Sequence, residues 1–311
     1  LGLNIIKYHP HNAVAWDHFI ATSINGTFLL YRNFMDYHKD RFNDHSLMIY
    51  EGGLLLCCIP AHKVGSDFIS HGGLSYGGFI ISLDGKNKME QIISVVMRYL
   101  KSHAFAKAEF QQPPVSYHIV NREIELLLQQ QGFNANRVLH NQIVRLDKEI
   151  KVSSKKTRGY RNGNFVGLKI VRNDNFKNFW QDILVPQLKA RYGSKPVHTL
   201  DEIELLASRF PKNIVQYSVY LKDNLLAGIT LFKKNKHIRA QYTASSPLGL
   251  QCDATTFLYI EAMQEFANDG FLILDYGSVN EKNGAINQGL RRFKQELGCR
   301  EEEWLRWEKK C

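Results

Sequence analysis

Apolar and polar positions alternate along this chain in two successive sets that follow one order of elements. Apolar runs from Ser46 to Tyr50 and from Leu54 to Lys63 flank Glu51-Gly52-Gly53, and the glycines permit the positive φ that a hairpin turn needs. Val215 to Leu221 and Leu225 to Lys233 repeat the pattern around Lys222-Asp223-Asn224. Each hairpin leads to a further strand, a helix, a short buried strand, a second helix and a last strand. The first helices are expected from Met89 to His103 and from Thr255 to Asp269, the buried strands from Phe105 to Phe110 and from Phe271 to Tyr276, and the second helices from Arg122 to Gln131 and from Gln288 to Leu297. Leu258, Ala262 and Phe266 recur at i, i+4 and i+8 with Tyr259 and Met263 beside them, a core-facing stripe. Two helices, Phe176 to Arg191 and Thr199 to Arg209, precede the second hairpin, and Trp16 to Ile24 opens the first half in a similar way.

The two sets are in register. Tyr76, Phe105, Glu109, Phe110 and Gly132 recur as Tyr242, Phe271, Asp275, Tyr276 and Gly298, each 166 positions later, which is the trace of a duplicated unit. A chain of 311 residues accommodates two domains of about 150 residues. The charged, glycine-interrupted stretch from Asp147 to Asn164 marks the expected boundary, giving domains 1–150 and 151–311. An antiparallel start leading into β-α-β-α-β is mixed α/β.

Composition narrows the class further. Hydrophobic residues make up 44% and charged residues 23%, values of a globular chain with a sizeable core rather than a disordered one. The net charge of +10 attracts phosphate or carboxylate partners without choosing among nucleotide, coenzyme, tRNA and anionic membrane. Cys57, Cys58, Cys252, Cys299 and Cys311 are odd in number and form no CxxC pair, which reads as free thiols in a reducing compartment. The amino-terminal apolar run is too short for a signal peptide and no stretch reaches the ~18 apolar residues of a membrane span, so the protein is expected to be soluble and cytoplasmic.

Candidate chemistry concentrates near the carboxyl terminus. Asp275-Tyr276-Gly277-Ser278 is followed by Asn287-Gln288-Gly289-Leu290-Arg291-Arg292-Phe293-Lys294 and Leu297-Gly298. At helical spacing Ile286, Leu290, Phe293 and Leu297 share one face and Asn287, Arg291 and Lys294 share a polar flank. Two cations and an amide on one flank suit a phosphate or a developing oxyanion; a solvated basic face is the plainer alternative. Glu109 and Asp275 end the two buried strands, where clefts of α/β sheets commonly lie, and Asp275 is the stronger candidate. His71 lies in the run Ser70 to Gly78, rich enough in glycine for backbone to approach a ligand. Tyr76, Tyr242 and nearby Gln241 are further cleft candidates, with core packing as their structural alternative. Arg158 and Arg161 could clamp a phosphate or form a solvated charge run. His9, His11, His18, His38 and His45 lack regular ligand spacing, so no metal is expected.

Asp275-Tyr276-Gly277 and Gly289-Leu290, running into Phe293-Lys294 and Leu297-Gly298, resemble the carboxyl-terminal signature of the FemAB-like acyltransferases, which carry a D-F-G-like strand end and an F-K-x-x-F-G-like helix end. Ser70 to Gly78 is similar to a glycine-rich segment of that group. The resemblance implies two tandem GNAT-like (acyl-CoA N-acyltransferase-like) domains, and transfer of an acyl or aminoacyl group to an amine. It implies a cleft lysine at Lys294 beside Phe293. The polar flank of the same helix, and not the resemblance, supplies Asn287 and Arg291 as substrate-binding candidates. The donor turn of GNAT enzymes corresponds to Ser246 through Thr256, where Gly249, Thr255 and Thr256 are the cofactor-binding candidates and Asp253 is a helix N-cap that would repel phosphate at short range. The expectation that follows is an acyl-CoA-dependent N-acyltransferase acting on a nucleotide-linked sugar or other envelope precursor, with Asp275, Lys294 and His71 in catalysis. Two competitors are an aminoacyl-tRNA-dependent transferase of peptidoglycan cross-bridges, favoured by the net charge, and a non-catalytic basic binding module.

Overall fold

A computed structural model describes residues 2–311. The chain forms two compact units: unit 1 runs to Val138 and takes in Glu303–Cys311, and unit 2 is Leu139–Glu302. The change of unit falls inside a strand, and the charged segment from Asp147 to Asn164 lies within unit 2.

Unit 1 contains β1 (Leu3–Lys7), helix α1 (Ala13–Thr22), helix α2 (Arg32–Met35), β2 (Asn43–Asp44), β3 (Leu47–Glu51), β4 (Leu54–Ile59), β5 (Ala61–Val64), β6 (Asp67–Ser70), β7 (Ile80–Ile81), helices α3 (Leu83–Lys86) and α4 (Met89–Ser102), β8 (Lys107–Phe110) and helix α5 (Val120–Gln130). Strand β9 (Asn134–Arg145) carries the chain into unit 2. Unit 2 continues with helix α6 (Ser154–Arg161), β10 (Leu168–Asn173), α7 (Phe176–Asn178), a π-helical stretch Phe179–Leu184, α8 (Val185–Tyr192), α9 (Leu200–Arg209), β11 (Ile214–Leu221), β12 (Asn224–Lys234), β13 (His237–Ser245), α10 (Pro247–Gln251), α11 (Ala254–Asn268), β14 (Ile273–Ser278) and α12 (Gln288–Glu296). Strand β15 (Arg300–Lys310) closes the chain. In unit 2 the strands lie in the order β10-β11-β12-β13-β14-β9, antiparallel except for the parallel pair β13 and β14.

Both predicted hairpins form, but Pro60 splits the first. Proline has no N–H to donate to a ladder, so β4 ends at Ile59 and β5 begins at Ala61 in another sheet. β4 belongs to the antiparallel set β1-β3-β4-β7, while β5 pairs with β6 in the set β15-β8-β6-β5-β2. The predicted helix from Phe176 to Arg191 is likewise interrupted by the π stretch that precedes Pro186, since the missing N–H of a proline breaks the regular helical ladder.

Each core forms where a helix presents its apolar stripe to a sheet. In α4, Ile92, Ile93, Val96 and Leu100 are fully buried against Phe68, Phe79, Phe110 and Trp307. In α11, Leu258, Ala262, Met263 and Phe266 pack on Val219, Ile229 and Leu274. At about 1.5–3 kcal/mol per buried large side chain, these stripes fix each helix on its sheet.

The parallel strand pairs show where the two units differ. Ile69 faces Glu109 across β6 and β8, and Arg239 faces Asp275 across β13 and β14. The first connection runs 40 positions, from 69 to 109, and the second 36, from 239 to 275. The offset of 166 therefore holds from α4 onward and becomes 170 on the preceding strand. Tyr242 on β13 corresponds by register to Gly72, and the sequence pairing of Tyr76 with Tyr242 is corrected.

The four extra positions of unit 1 fall before α4, in the stretch that contains the glycine run. Ser70 Oγ accepts hydrogen bonds from Gly78 N and Gln111 N, both 3.1 Å, Gly77 N donates to Gln111 O at 3.0 Å, and His71 N donates to Pro60 O at 3.2 Å. The run thus closes over the ends of β6 and β8. Its glycines are required for packing: a Cβ at Gly73 would lie 1.7 Å from His38 Nε2, and one at Gly78, whose φ is +71°, would lie 2.3 Å from Gln112 Nε2. His71 is buried beneath this run, with its ring 5.4 Å from that of His38 and 5.6 Å from that of His62. Burial pushes its pKa down to about 3 against the opposing pull of Asp44.

Two outcomes follow for stability. Gly73→Ala should destabilise unit 1 by about 1–3 kcal/mol through overpacking, measured by urea unfolding; an unchanged midpoint would show that His38 can move aside. Acid should act through His71. Above pH 6.5 its imidazole is neutral in both states, whereas from pH 6.5 down towards 3 only the unfolded chain takes up the proton, so stability falls by about 2 kcal/mol at pH 5. Melting curves at pH 7 and pH 5 should show a smaller acid loss for His71→Asn than for the wild type.

Candidate active site

Strands β13 and β14 run parallel but are hydrogen-bonded only over His237–Arg239 and Ile273–Asp275. Beyond this point β13 continues to Ser245 and β14 to Ser278, leaving one edge of β13 without a neighbouring strand among the described residues. The last register pair, Arg239 and Asp275, is also an ion pair: Arg239 Nη1 donates to Asp275 Oδ2 at 2.7 Å. Asp275 Oδ1 accepts from Gly277 N at 2.7 Å, and Gly277 has the left-handed φ of +76° that turns the strand end.

Helix α12 delivers the second fixed charge. Asn287 caps its start by accepting from Leu290 N at 2.9 Å. About two turns on, Lys294 Nζ donates to three successive carbonyls of β14, Tyr276 O at 2.7 Å, Gly277 O at 3.0 Å and Ser278 O at 3.3 Å. Lys294 is only 5% exposed, and burial lowers its pKa to about 8 while Cys299 and Asp275 oppose the shift. Near neutral pH it is still mainly an ammonium.

A cavity of about 380 Å³ lies in front of this arrangement. Lys294, Phe293 and Asn287 line it from α12, Thr243 and Ser245 from β13, and Asp253 and Thr255 from the start of α11. Gln187, Arg191 and Tyr192 of α8 complete it with Tyr259 of α11. Gln187 Nε2 donates to Ser245 O at 3.1 Å, tying α8 to the strand end. Phe293 lies under Lys156 of α6, whose Nζ is 4.1 Å from the ring centroid, a cation–π contact.

Of the sequence candidates, Lys294, Phe293, Asn287, Gly249 and Thr255 therefore meet at one cavity. Gly249 is needed there for packing, because a Cβ would lie 2.0 Å from Leu226 O. Thr255 hydrogen-bonds Ser245 through its hydroxyl, and Thr256 is buried and donates to Asp253 Oδ1 at 2.6 Å. Asp275 is fully buried at the strand junction, with both oxygens engaged, and does not line the cavity. Arg291 turns from it towards Glu301, with Nη2 to Oε1 at 3.0 Å. Tyr242 is packed on Trp180 and bonded to His198 Nδ1 at 2.6 Å, and Gln241, half-buried on the same strand, is likewise not a lining residue.

The remaining candidates belong to the framework of unit 1. Tyr76 is buried with its hydroxyl 2.7 Å from Thr27 Oγ1. Glu109 accepts from Arg306 Nη1 at 3.1 Å and Asn136 Nδ2 at 3.2 Å. His71 is covered by the glycine run. Arg158 and Arg161 are exposed on α6, and Arg161 Nη2 donates to Ser154 O at 3.0 Å. Sequence reasoning missed Gln187, Arg191, Tyr192, Thr243, Ser245 and Tyr259, because nothing in their local pattern separates them from ordinary helix and strand positions.

No protein family matches the sequence, and no curated protein is detectably similar to it. Solved structures are similar in fold. FemX matches with a TM-score of 0.69 at 13% identity over 97% of this chain and 96% of that one. L-PGS from Bacillus licheniformis matches with a TM-score of 0.62 at 15% identity over 97% and 92%. A tandem GNAT protein from the clavulanic acid biosynthesis pathway matches with a TM-score of 0.50 at 10% identity over 99% and 98%. The chain has a FemAB-like, tandem GNAT-type fold. On this FemAB-like fold the splayed strand pair and Lys294 lie together in unit 2. Among the described residues no helix is long and apolar enough to cross a membrane.

The hydrogen-bond roles give a stability test. Lys294→Met leaves three carbonyls of β14 without their donor and should cost about 1–3 kcal/mol. Arg291→Ala removes a partly exposed ion pair and should cost under about 1 kcal/mol. Equal losses in chemical denaturation would contradict the bracing role of Lys294.

Proposed function

We propose that this protein is an acyltransferase whose reaction takes place in the unit 2 cavity, where an acyl or aminoacyl group passes from a donor ester or thioester to an amine. One observation carries the reading: the open edge of β13 beyond Arg239, facing a cavity whose wall holds the Lys294 ammonium. An extended donor can pair with that strand edge and bring its carbonyl into the positive field of Lys294. Since the N–H groups of Lys294 are directed to β14 carbonyls, it acts on charge developing at the carbonyl oxygen through its field and by fixing the strand end.

In the chemical step the neutral amine attacks the donor carbonyl, a C–N bond forms, the C–S or C–O bond breaks, and the amine proton ends on the departing thiolate or alkoxide. Asp275 is a positioning residue in this scheme: it and Arg239 set the point where the strands part. The acceptor under this reading is an amine of a nucleotide-linked sugar or envelope precursor, and the donor is acyl-CoA. The net charge of +10 favours aminoacyl-tRNA as a second donor reading.

The test offers the purified protein acetyl-CoA, longer acyl-CoAs and bulk aminoacyl-tRNA, each with amino-sugar nucleotides and peptidoglycan precursors. Amide product is followed by mass spectrometry. Transfer from one donor class is expected, reduced at least tenfold by Lys294→Met in protein shown to be folded. Absence of product with every donor would overturn the reading.

A further inference from the structure

We infer that helix α6 and the turn after it form a membrane-docking face, which lays Arg158 and Arg161 on the headgroups of an anionic lipid bilayer and inserts Val166 between them. The inference concerns the outer surface of unit 2 and is independent of the reaction assigned to its cavity.

From Lys151 to Asn173 the chain carries seven lysines and arginines and no acidic residue. Charge alone would only keep such a segment soluble, and what sets this one apart is the placement of its apolar side chains. Gly159 is buried in α6, and a Cβ there would lie 2.3 Å from the ring of Phe165. Phe165 is itself buried, its ring 4.8 Å from that of Tyr160 and 5.4 Å from that of Phe257 on α11. Phe165 thus plugs the turn inward. Three backbone hydrogen bonds brace it, Asn164 N to Gly159 O at 2.9 Å, Val166 N to Gly163 O at 3.1 Å and Leu168 N to Phe165 O at 3.2 Å. The next residue, Val166, is 78% exposed. An aliphatic side chain gains stability from burial, and here a hydrogen-bonded turn holds one out in solvent.

The cations lie beside that tip. Arg158 and Arg161 are neighbours at i and i+3 on the exposed side of α6, and Lys151 and Lys155 are exposed just before them. Basic side chains around a protruding aliphatic one match an anionic bilayer: the cations meet headgroup phosphates while the tip enters the boundary with the acyl chains. A nucleic-acid strand is held differently, by bases stacked on exposed aromatic faces. In this segment the rings turn inward, Phe165 as the plug and Tyr160 bound through its hydroxyl to Glu261.

Cosedimentation of the full chain with vesicles of phosphatidylcholine, alone or mixed with phosphatidylglycerol, tests the face. The wild type should bind the mixed vesicles at least tenfold more tightly than phosphatidylcholine alone. Arg158→Glu combined with Arg161→Glu should remove that preference, since each cation near the surface contributes about fivefold. At unchanged charge, Val166→Ser should weaken binding to the mixed vesicles and Val166→Trp should strengthen it; unaltered melting curves would show that all three variants are folded. Binding to neither vesicle, equal binding to both, or the same affinity for valine, serine and tryptophan at position 166 would overturn the assignment. Bulk tRNA bound by the wild type and lost with the two charge reversals, while the vesicles stay unbound, would make this a nucleic-acid surface and overturn it equally.

Discussion

The site depends on one buried ammonium. Lys294 lies where two parallel strands stop pairing, and its contacts with three consecutive carbonyls replace the ladder that β14 has given up. Backbone carbonyls at a strand end would otherwise need water or another strand. A lysine from the following helix supplies donors and positive charge at once, and so keeps the gap open without leaving its edge unsatisfied. Arg239 and Asp275 set where the gap begins; Lys294 sets how its far side is finished.

Unit 1 meets the same geometric problem with a different solution. Its parallel pair also stops early, at Ile69 and Glu109, but the longer connection folds back, and Ser70, Gly77 and Gly78 bond to each other and to Gln111 across the opening. Glycine is needed at two points of the run, because a Cβ at Gly73 would meet His38 at 1.7 Å and one at Gly78 would meet Gln112 at 2.3 Å. The two halves thus keep one architecture with opposite outcomes, a filled junction in unit 1 and an accessible cavity in unit 2.

How much of this was legible in the sequence depended on range. Helices α4, α11 and α12 were readable because their stripes repeat every three or four residues, and Asn287, Phe293 and Lys294 came with α12. The placement of Asp275 was not, since its partner Arg239 is far away in sequence and becomes a neighbour only through strand register. The glycine run was ambiguous in a different way: glycine permits close approach by anything, and here the approaching groups are the protein's own imidazoles. The α8 contribution of Gln187, Arg191 and Tyr192 depends on tertiary packing, which no local period encodes. Asp253 was visible as a cap, but its place in the cavity wall follows only from the fold.

The return of the chain's end to unit 1 bears on how the molecule is made. Strand β15 pairs with β8 through Trp307, Glu308, Lys309 and Lys310, Trp307 is part of the unit 1 core, and Trp304 Nε1 donates to Gln112 O at 2.7 Å. Unit 2 lies wholly between the two pieces of unit 1 in sequence. A ribosome therefore releases the first 138 residues long before the strand that completes their sheet, and the open edge of β8 must wait through the synthesis of unit 2. Vectorial folding, in which domains close in the order they emerge, is reversed here: the unit begun first is finished last.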